Sequence, residues 1–225
     1  MNPALRHSAA HVFVASVDDP VLTDDDAHHL LRVLRLRDGE QVSVSDGLGS
    51  WRLTTVSGEA LLPADEVHRV VVAERARRTI VSAIPKGDRL DWMVQKLTEL
   101  GVDDIVLLHG ARSVVRWDAE RAHKQLARLR RIAKEAAMQS RRVWLPELRG
   151  PIDFGEAVSL PGVVIAEPGA PRLAEQSCVV IGPEGGFSEA ELAHDVPTAC
   201  VADTVLRVET AAVAVAAWWA HAAVD

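Results

Sequence analysis

Residues 181–192 read IGPEGGFSEAEL. The apolar run CVVIG (178–182) breaks into glycines around a carboxylate and then into a helix start. Ser188 can cap a backbone N–H, and Glu191 three positions on can reach back. Strand, tight loop and helix follow in that order. Such a unit places a hollow at the carboxyl end of a strand, where open α/β sheets bind small molecules. A phosphate would meet Glu184 there, whereas loops built for phosphate use bare N–H groups and a lysine. The chain carries neither a GxxxxGKS/T loop nor GxGxxG. The loop therefore suits a neutral or cationic ligand, or one presenting hydroxyls; a capped turn with no ligand is the plainer alternative.

At 225 residues, the chain can form one large domain or a small and a medium one. A 48% hydrophobic content beside 25% charged residues describes a soluble globular protein. The longest apolar stretch, TAAVAVAAWWAHAAV (210–224), is shorter than the roughly 18 residues of a membrane span. It reads as a helix that is either buried or at an interface. The amino end lacks the charged lead and apolar run of a signal peptide. Cys178 and Cys200 lie in separate apolar segments without CxxC spacing, as expected of reduced core thiols in a cytoplasmic protein with no metal site.

The net charge is −7, but it is unevenly spread. From Arg112 to Arg142 ten lysines and arginines face three acids, a local balance of +7 that leaves −14 for the rest. Most of the ten are arginines, whose planar fork suits phosphate, so the segment is a candidate polyanion footprint. A solvated helix face is the alternative.

Along the chain, HVFVASV, EQVSVSD and WRLTTVS are short β-rich runs, with one helix expected in DDDAHHLLRVLRL (24–36). They predict a small β-barrel-like domain, with Asp24 to Asp26 at a helix amino end and a basic patch of His28, His29, Arg32, Arg35 and Arg37. Adjacent histidines do not share a helix face, which argues against a metal there. A linker is expected from Glu74. From Thr79, strands and helices alternate: TIVSAIP, the helix RLDWMVQKLTEL closed by Gly101, DIVLL, and a long helix capped by Asp118. GVVIAE, CVVIG and ACVAD are three further strands, continuous in apolar character and expected to be buried on both faces of a mostly parallel sheet. Each runs into a loop of special residues: IAEPGA, IGPEGGF and TVLRVET. If the strands are parallel neighbours, the loops converge at one sheet edge.

LTELGV (97–102), RIAKEAAMQSRR (131–142), IGPEGGFSEAEL and LRVETAAVA (206–214), with HHLLRVLRLRDGE near the amino end, together resemble the RsmE family. These are 16S ribosomal RNA uridine-N3 methyltransferases of the SPOUT superfamily. The resemblance spans nearly the whole chain. It implies a PUA-like RNA-binding β-barrel over residues 1–73 and a SPOUT methyltransferase domain over 74–225, α/β with a mostly parallel sheet and a deep trefoil knot. It also implies S-adenosyl-L-methionine as cofactor, a homodimer, and 16S rRNA of the small ribosomal subunit as partner, with no membrane and no metal.

Carried over, the resemblance puts Glu167 and Gly169 in a first cofactor loop, Ile181, Gly182, Glu184, Gly185 and Gly186 in a second, and Leu206, Arg207, Val208, Glu209 and Thr210 in a third. Met138 stands where the family often has an acid before Gln-Ser, and only Arg6 represents the family's arginine near the first strand. Methylation of uracil N3 needs charge stabilisation on the base oxygens, for which Arg207 is the candidate. Glu209 could orient Arg207, accept the proton, or merely form a structural ion pair with it. Gln139 could read the Watson–Crick edge of a flipped base. Arg6, Arg32, Arg35, Lys86, Arg112, Arg116, Arg141 and Arg142 are the expected RNA contacts, and Trp218 and Trp219 mark the expected dimer helix. A ribose 2′-O-methyltransferase of the same superfamily and a non-catalytic RNA-binding assembly factor are the alternatives.

Overall fold

A computed structural model describes residues 2–70 and 77–222, in two units: Met1–Arg75 with Lys134–Leu145, and Ala76–Ala133 with Pro146–Asp225. The expected boundary at residues 73 and 74 and the linker from Glu74 lie outside the described residues. Residues 134–145 belong to the first unit, a return of the chain that a division into consecutive stretches does not anticipate.

In the first unit, α1 (Pro3–His7) starts at Asn2, whose side chain accepts the Ala4 N–H. Strand β1 (Ala10–Phe13) pairs parallel with β2 (Gln41–Ser45), which pairs antiparallel with β3 (Ser50–Ser57). Strands β4 (Ala60–Pro63) and β5 (His68–Arg69) both pair with β3. Among the described residues no pairing joins β4 back to β1, so the sheet order is β1-β2-β3-β4 with β5 beside β3. The expected helix over 24–36 is shorter: α2 (Asp24–His28), capped by Thr23, passes into a π-helical turn over His29–Val33. Leu30 is buried there, and Arg35, in the left-handed region at φ 56°, ends the turn. Val12, Val42, Val44 and Val56 form the apolar centre.

In the second unit, strands β6 (Thr79–Ala83), β7 (Asp104–His109), β8 (Glu147–Asp153), β9 (Val163–Ala166), β10 (Cys178–Ile181) and β11 (Thr198–Ala199) form one parallel sheet in the order β11-β9-β10-β6-β7-β8. Strand β10 is buried on both faces, as its unbroken apolar run predicts: Val179 and Ile181 pack into one core cluster, Cys178 and Val180 into the other. Helix α3 (Arg89–Glu99) buries Leu90, Met93, Val94 and Leu97, and Gly101 at φ 82° follows its end. Helix α4 (Ala119–Gln139), whose residues from Lys134 onward count with the first unit, begins where Asp118 accepts the Arg121 N–H at 2.8 Å. Short helices α5 (Phe154–Val158) and α6 (Glu189–Leu192) precede α7 (Val208–Ala222), which packs against α3.

Two elements depart from the sequence reading. ACVAD does not make a central strand: β11 has two residues at the sheet edge, and Cys200 instead bridges to Arg172. Strand β8, for which the sequence reading had no counterpart, contains Gly150 and Pro151; at the opposite edge of the sheet a proline is tolerated because one side of the strand has no ladder to complete.

The chain proceeds outward from β6 to β7 and β8, then returns to the other side of β6 with β9 and β10. The order reverses beside β10, which places the switch point of the sheet at the loop IGPEGGF.

Candidate active site

Strands β9, β10 and β11 are parallel neighbours, so the loops that leave their carboxyl ends meet at one edge, as the sequence pattern anticipates. They enclose a hollow of about 200 Å³. The first loop contributes Glu167 and Pro168, the second Gly182, Glu184 and Phe187, and the third residues 200–202 and 204–206, with Val208 and Ala211 of α7 closing the wall. Among the described residues, the lining carries two carboxylates, Glu167 and Glu184, and no lysine or arginine.

Local chemistry sets each loop. The first and third are zipped together: the Glu167 N–H donates to the Ala199 carbonyl, the Cys200 N–H to Pro171, and the Leu173 N–H to Cys200. Arg172 and Asp203 close the same seam at 3.0 Å. In the second loop, the Gly186 N–H donates to the Pro183 carbonyl at 2.8 Å, making a turn with Gly186 at φ 68°. Gly182 is required by packing: a Cβ there would lie 2.8 Å from the Phe187 ring, which is itself packed on Phe154.

The capping box expected at Ser188 and Glu191 is formed: Ser188 Oγ accepts the Glu191 N–H, and Glu191 Oε2 accepts the Ser188 N–H at 2.7 Å. Glu191 Oε1 also accepts the Ala111 N–H at 2.7 Å. Burial of the Glu191 carboxyl favours its neutral form, but the hydrogen bonds from Ser188 and Ala111, with the nearby Arg112, outweigh it and hold the carboxyl below the usual carboxylate range. The Arg112 guanidinium donates to the Gly185 carbonyl at 3.0 Å, and Arg116 to the Gly110 carbonyl at 2.8 Å.

The RNA methyltransferase domain family matches residues 73–220, and the RNA methyltransferase PUA domain family matches residues 22–60. The chain is 33% identical to the ribosomal RNA small subunit methyltransferase E of Mycobacterium bovis, covering 85% of this chain and 82% of that one. The Bacillus subtilis protein of the same name is 31% identical over 84% of this chain and 85% of its own. The crystal structure of the Neisseria gonorrhoeae methyltransferase E bound to S-adenosyl methionine matches with a TM-score of 0.77 at 26% identity, over 96% and 98% of the two chains.

The chain belongs to the RsmE family. In this RsmE-family chain, Glu167, Ile181, Gly182, Glu184, Gly186, Leu206 and Val208 line the hollow, whereas Gly169, Gly185, Arg207, Glu209 and Thr210 do not. Arg207 is exposed, and among the described residues no ion pair engages it. Glu209 is buried and faces Arg89 across 3.6 Å rather than Arg207, because residues two apart at a helix start point to different sides. Gln139, the last residue of α4, is exposed in the first unit.

The basic residues divide by unit. Arg6, Arg32 and Arg35 are exposed in the first, where Arg141 donates to the Ser8 carbonyl at 2.9 Å and the Arg142 carbonyl faces His11. Lys86, Arg112 and Arg116 are exposed in the second. Within the basic segment, Arg128 pairs with Asp91 and Lys134 with Asp26, so part of that charge is balanced locally. Met138 packs against the apolar core of the first unit, which accounts for an apolar residue at that position. Trp219 is buried, its indole N–H on the Gln176 carbonyl at 2.8 Å, while Trp218 is partly exposed.

Sequence reasoning read Cys200 as a core thiol, whereas it is half-buried in the wall of the hollow, and it missed Arg89, Phe187 and the contact between Glu191 and Ala111. The first and last are pairings across 120 and 80 positions, for which a single sequence carries no signal. Phe187 was visible beside the glycines, but its need for the bare Gly182 backbone is a packing fact.

Proposed function

We propose that this chain transfers a methyl group from S-adenosylmethionine to N3 of a uridine in 16S ribosomal RNA of the small subunit. The observation that carries the reading is the hollow at the switch point, whose lining has, among the described residues, two carboxylates and no lysine or arginine. That electrostatics fits a nucleoside bearing a positive sulfur and is wrong for a phosphate. Gly186, which lines the hollow, has open space where a Cβ would stand, room for a ligand to approach the backbone. The names of the similar ribosomal RNA methyltransferases and the cofactor-bound structure support the same assignment.

When bound, S-adenosylmethionine supplies an electrophilic methyl group. The residues of the three loops hold it, with Glu167 and Glu184 supplying the negative field. Arg207 neutralises charge on the base oxygens as N3 gives up its proton. Glu209 is the acceptor assigned to that proton. Gln139 reads the Watson–Crick edge of the base. Arg6, Arg32, Arg35, Lys86, Arg112, Arg116, Arg141 and Arg142 contact RNA phosphates.

Family membership supports the finer architecture as part of this proposal: a PUA-like barrel over residues 1–73, a trefoil-knotted SPOUT domain over 74–225, and a cytoplasmic homodimer that uses α7. No helix among the described residues is long and apolar enough to cross a membrane.

The test is methyl transfer from labelled S-adenosylmethionine to small ribosomal subunits lacking the modification, followed by nucleoside analysis. The expected product is 3-methyluridine at one site. A 2′-O-methylated nucleoside would overturn the assignment of the base nitrogen, and absence of transfer with cofactor bound would overturn the substrate.

A further inference from the structure

The cofactor reading leaves open what fixes the glycine-rich second loop, and the next assignment rests on that reading. Strands β10 and β7 are separated in the sheet by β6, so the loops that follow them share no backbone ladder. Side chains join them instead. Glu191, behind the second loop, accepts the Ala111 N–H, and Arg112 donates to the Gly185 carbonyl. The Arg112 stem also lies along Gly185, whose Cβ would stand 3.5 Å from Arg112 Cβ. The second loop has glycine at 182, 185 and 186, so its backbone has more freedom to lose than most, and the Gly186 to Pro183 turn restrains only part of it.

We propose that Arg112 is a positioning residue for the cofactor. By holding the Gly185 carbonyl it fixes the Gly182–Phe187 loop in its binding shape before RNA arrives. This duty differs from the phosphate contact expected of an exposed arginine. A guanidinium has several donors, so one can hold the loop while others remain for RNA. The arginine four residues on has no such role: Arg116 donates within its own loop, to the Gly110 carbonyl.

The experiment measures S-adenosylmethionine affinity by calorimetry without RNA, for the full chain and for Arg112→Ala, Arg112→Lys and Arg116→Ala, with melting curves for each. Arg112→Ala is expected to weaken cofactor binding about tenfold, the size of one charge-assisted hydrogen bond. Arg112→Lys, which keeps a donor, should restore most of it, and Arg116→Ala should bind as the parent does. Unchanged affinity in Arg112→Ala would overturn the proposal and leave Arg112 as an RNA contact. An equal loss in Arg116→Ala would also overturn it, since the effect would then be general loosening of the loop after β7. A parent chain that binds no cofactor would overturn the cofactor reading itself, and this assignment with it.

Discussion

Arg89 Nε stands 3.6 Å from Glu209 Oε1 and joins the first turns of α3 and α7, while Glu209 Oε2 is buried with no partner. Arg89→Ala would leave the buried carboxylate without its cation. The Arg89 side chain is 41% exposed, so water reduces the cost of that loss. A destabilisation of about 1–2 kcal/mol is expected, below the range for fully buried pairs. A double-mutant cycle with Glu209→Ala in urea measures the coupling; additive single effects would show that the two residues do not interact.

Arg207→Ala should separate chemistry from binding. The side chain is exposed and free of ion pairs among the described residues, so folding should be unaffected. Methyl transfer is expected to fall by about a hundredfold or more, as when a charge-stabilising donor is removed. Cofactor affinity should change little. If affinity drops as far as the rate does, Arg207 belongs to cofactor binding and not to the reacting base.

Gly182→Ala tests the packing of the second loop. The added Cβ would meet the Phe187 ring at 2.8 Å, and that ring is buried against Phe154, so it has little room to yield. A loss of about 1–3 kcal/mol is expected from overpacking, together with weaker cofactor binding. Gly155→Ala, also outside the left-handed region and with only Asp153 Oδ1 at 3.4 Å from the added Cβ, is the control for replacing a glycine without overpacking. A fully stable Gly182→Ala chain would show that Phe187 can shift without penalty.

His11 makes the first unit sensitive to acid. Its Nε2–H donates to the Arg142 carbonyl at 3.2 Å and Nδ1 lies 2.8 Å from Ser43 Oγ, which fits the neutral ring. Burial pushes its pKa down from 6.5 to about 4; the Arg142 hydrogen bond opposes this and Arg141 adds to it. Between those values the unfolded chain binds the extra proton, so stability rises with pH there and is fully present above 6.5. The contribution lost between pH 7 and pH 4 is about 3 kcal/mol. His11→Asn should flatten that part of the stability profile, measured by urea unfolding at several pH values. An unchanged slope would show that the ring is not kept neutral.

Trp218 and Trp219 are adjacent in sequence but differ in environment. Trp219→Ala should cost about 3–5 kcal/mol, because it empties a core position and leaves the Gln176 carbonyl without its donor. Trp218→Ala should cost under about 1 kcal/mol in folding. If α7 forms the proposed dimer, that change should instead shift the sedimentation profile toward monomer, and an unaltered profile would remove Trp218 from the interface.

The sequence by itself determined most of the elements and the chemistry of the second loop. Short β-rich runs set β1, β2 and β3, the unbroken apolar run set β10 as a doubly buried strand, and Ser188 with Glu191 set the capping box, because these depend on neighbours within a few positions. Glu184 and the missing phosphate pattern already excluded a phosphate cradle. The tertiary structure decided what depends on distant partners. Insertion of β10 between β9 and β6 brought the three loops to one hollow, the edge position of β8 made Pro151 acceptable in a strand, and residues 134–145 joined the first unit. It also assigned Glu209 to Arg89 and Arg112 to Gly185, contacts between segments 120 and 73 positions apart. Local pattern specifies which residues form a strand or cap a helix, but pairing across such separations is fixed only when burial of the whole sheet selects one arrangement.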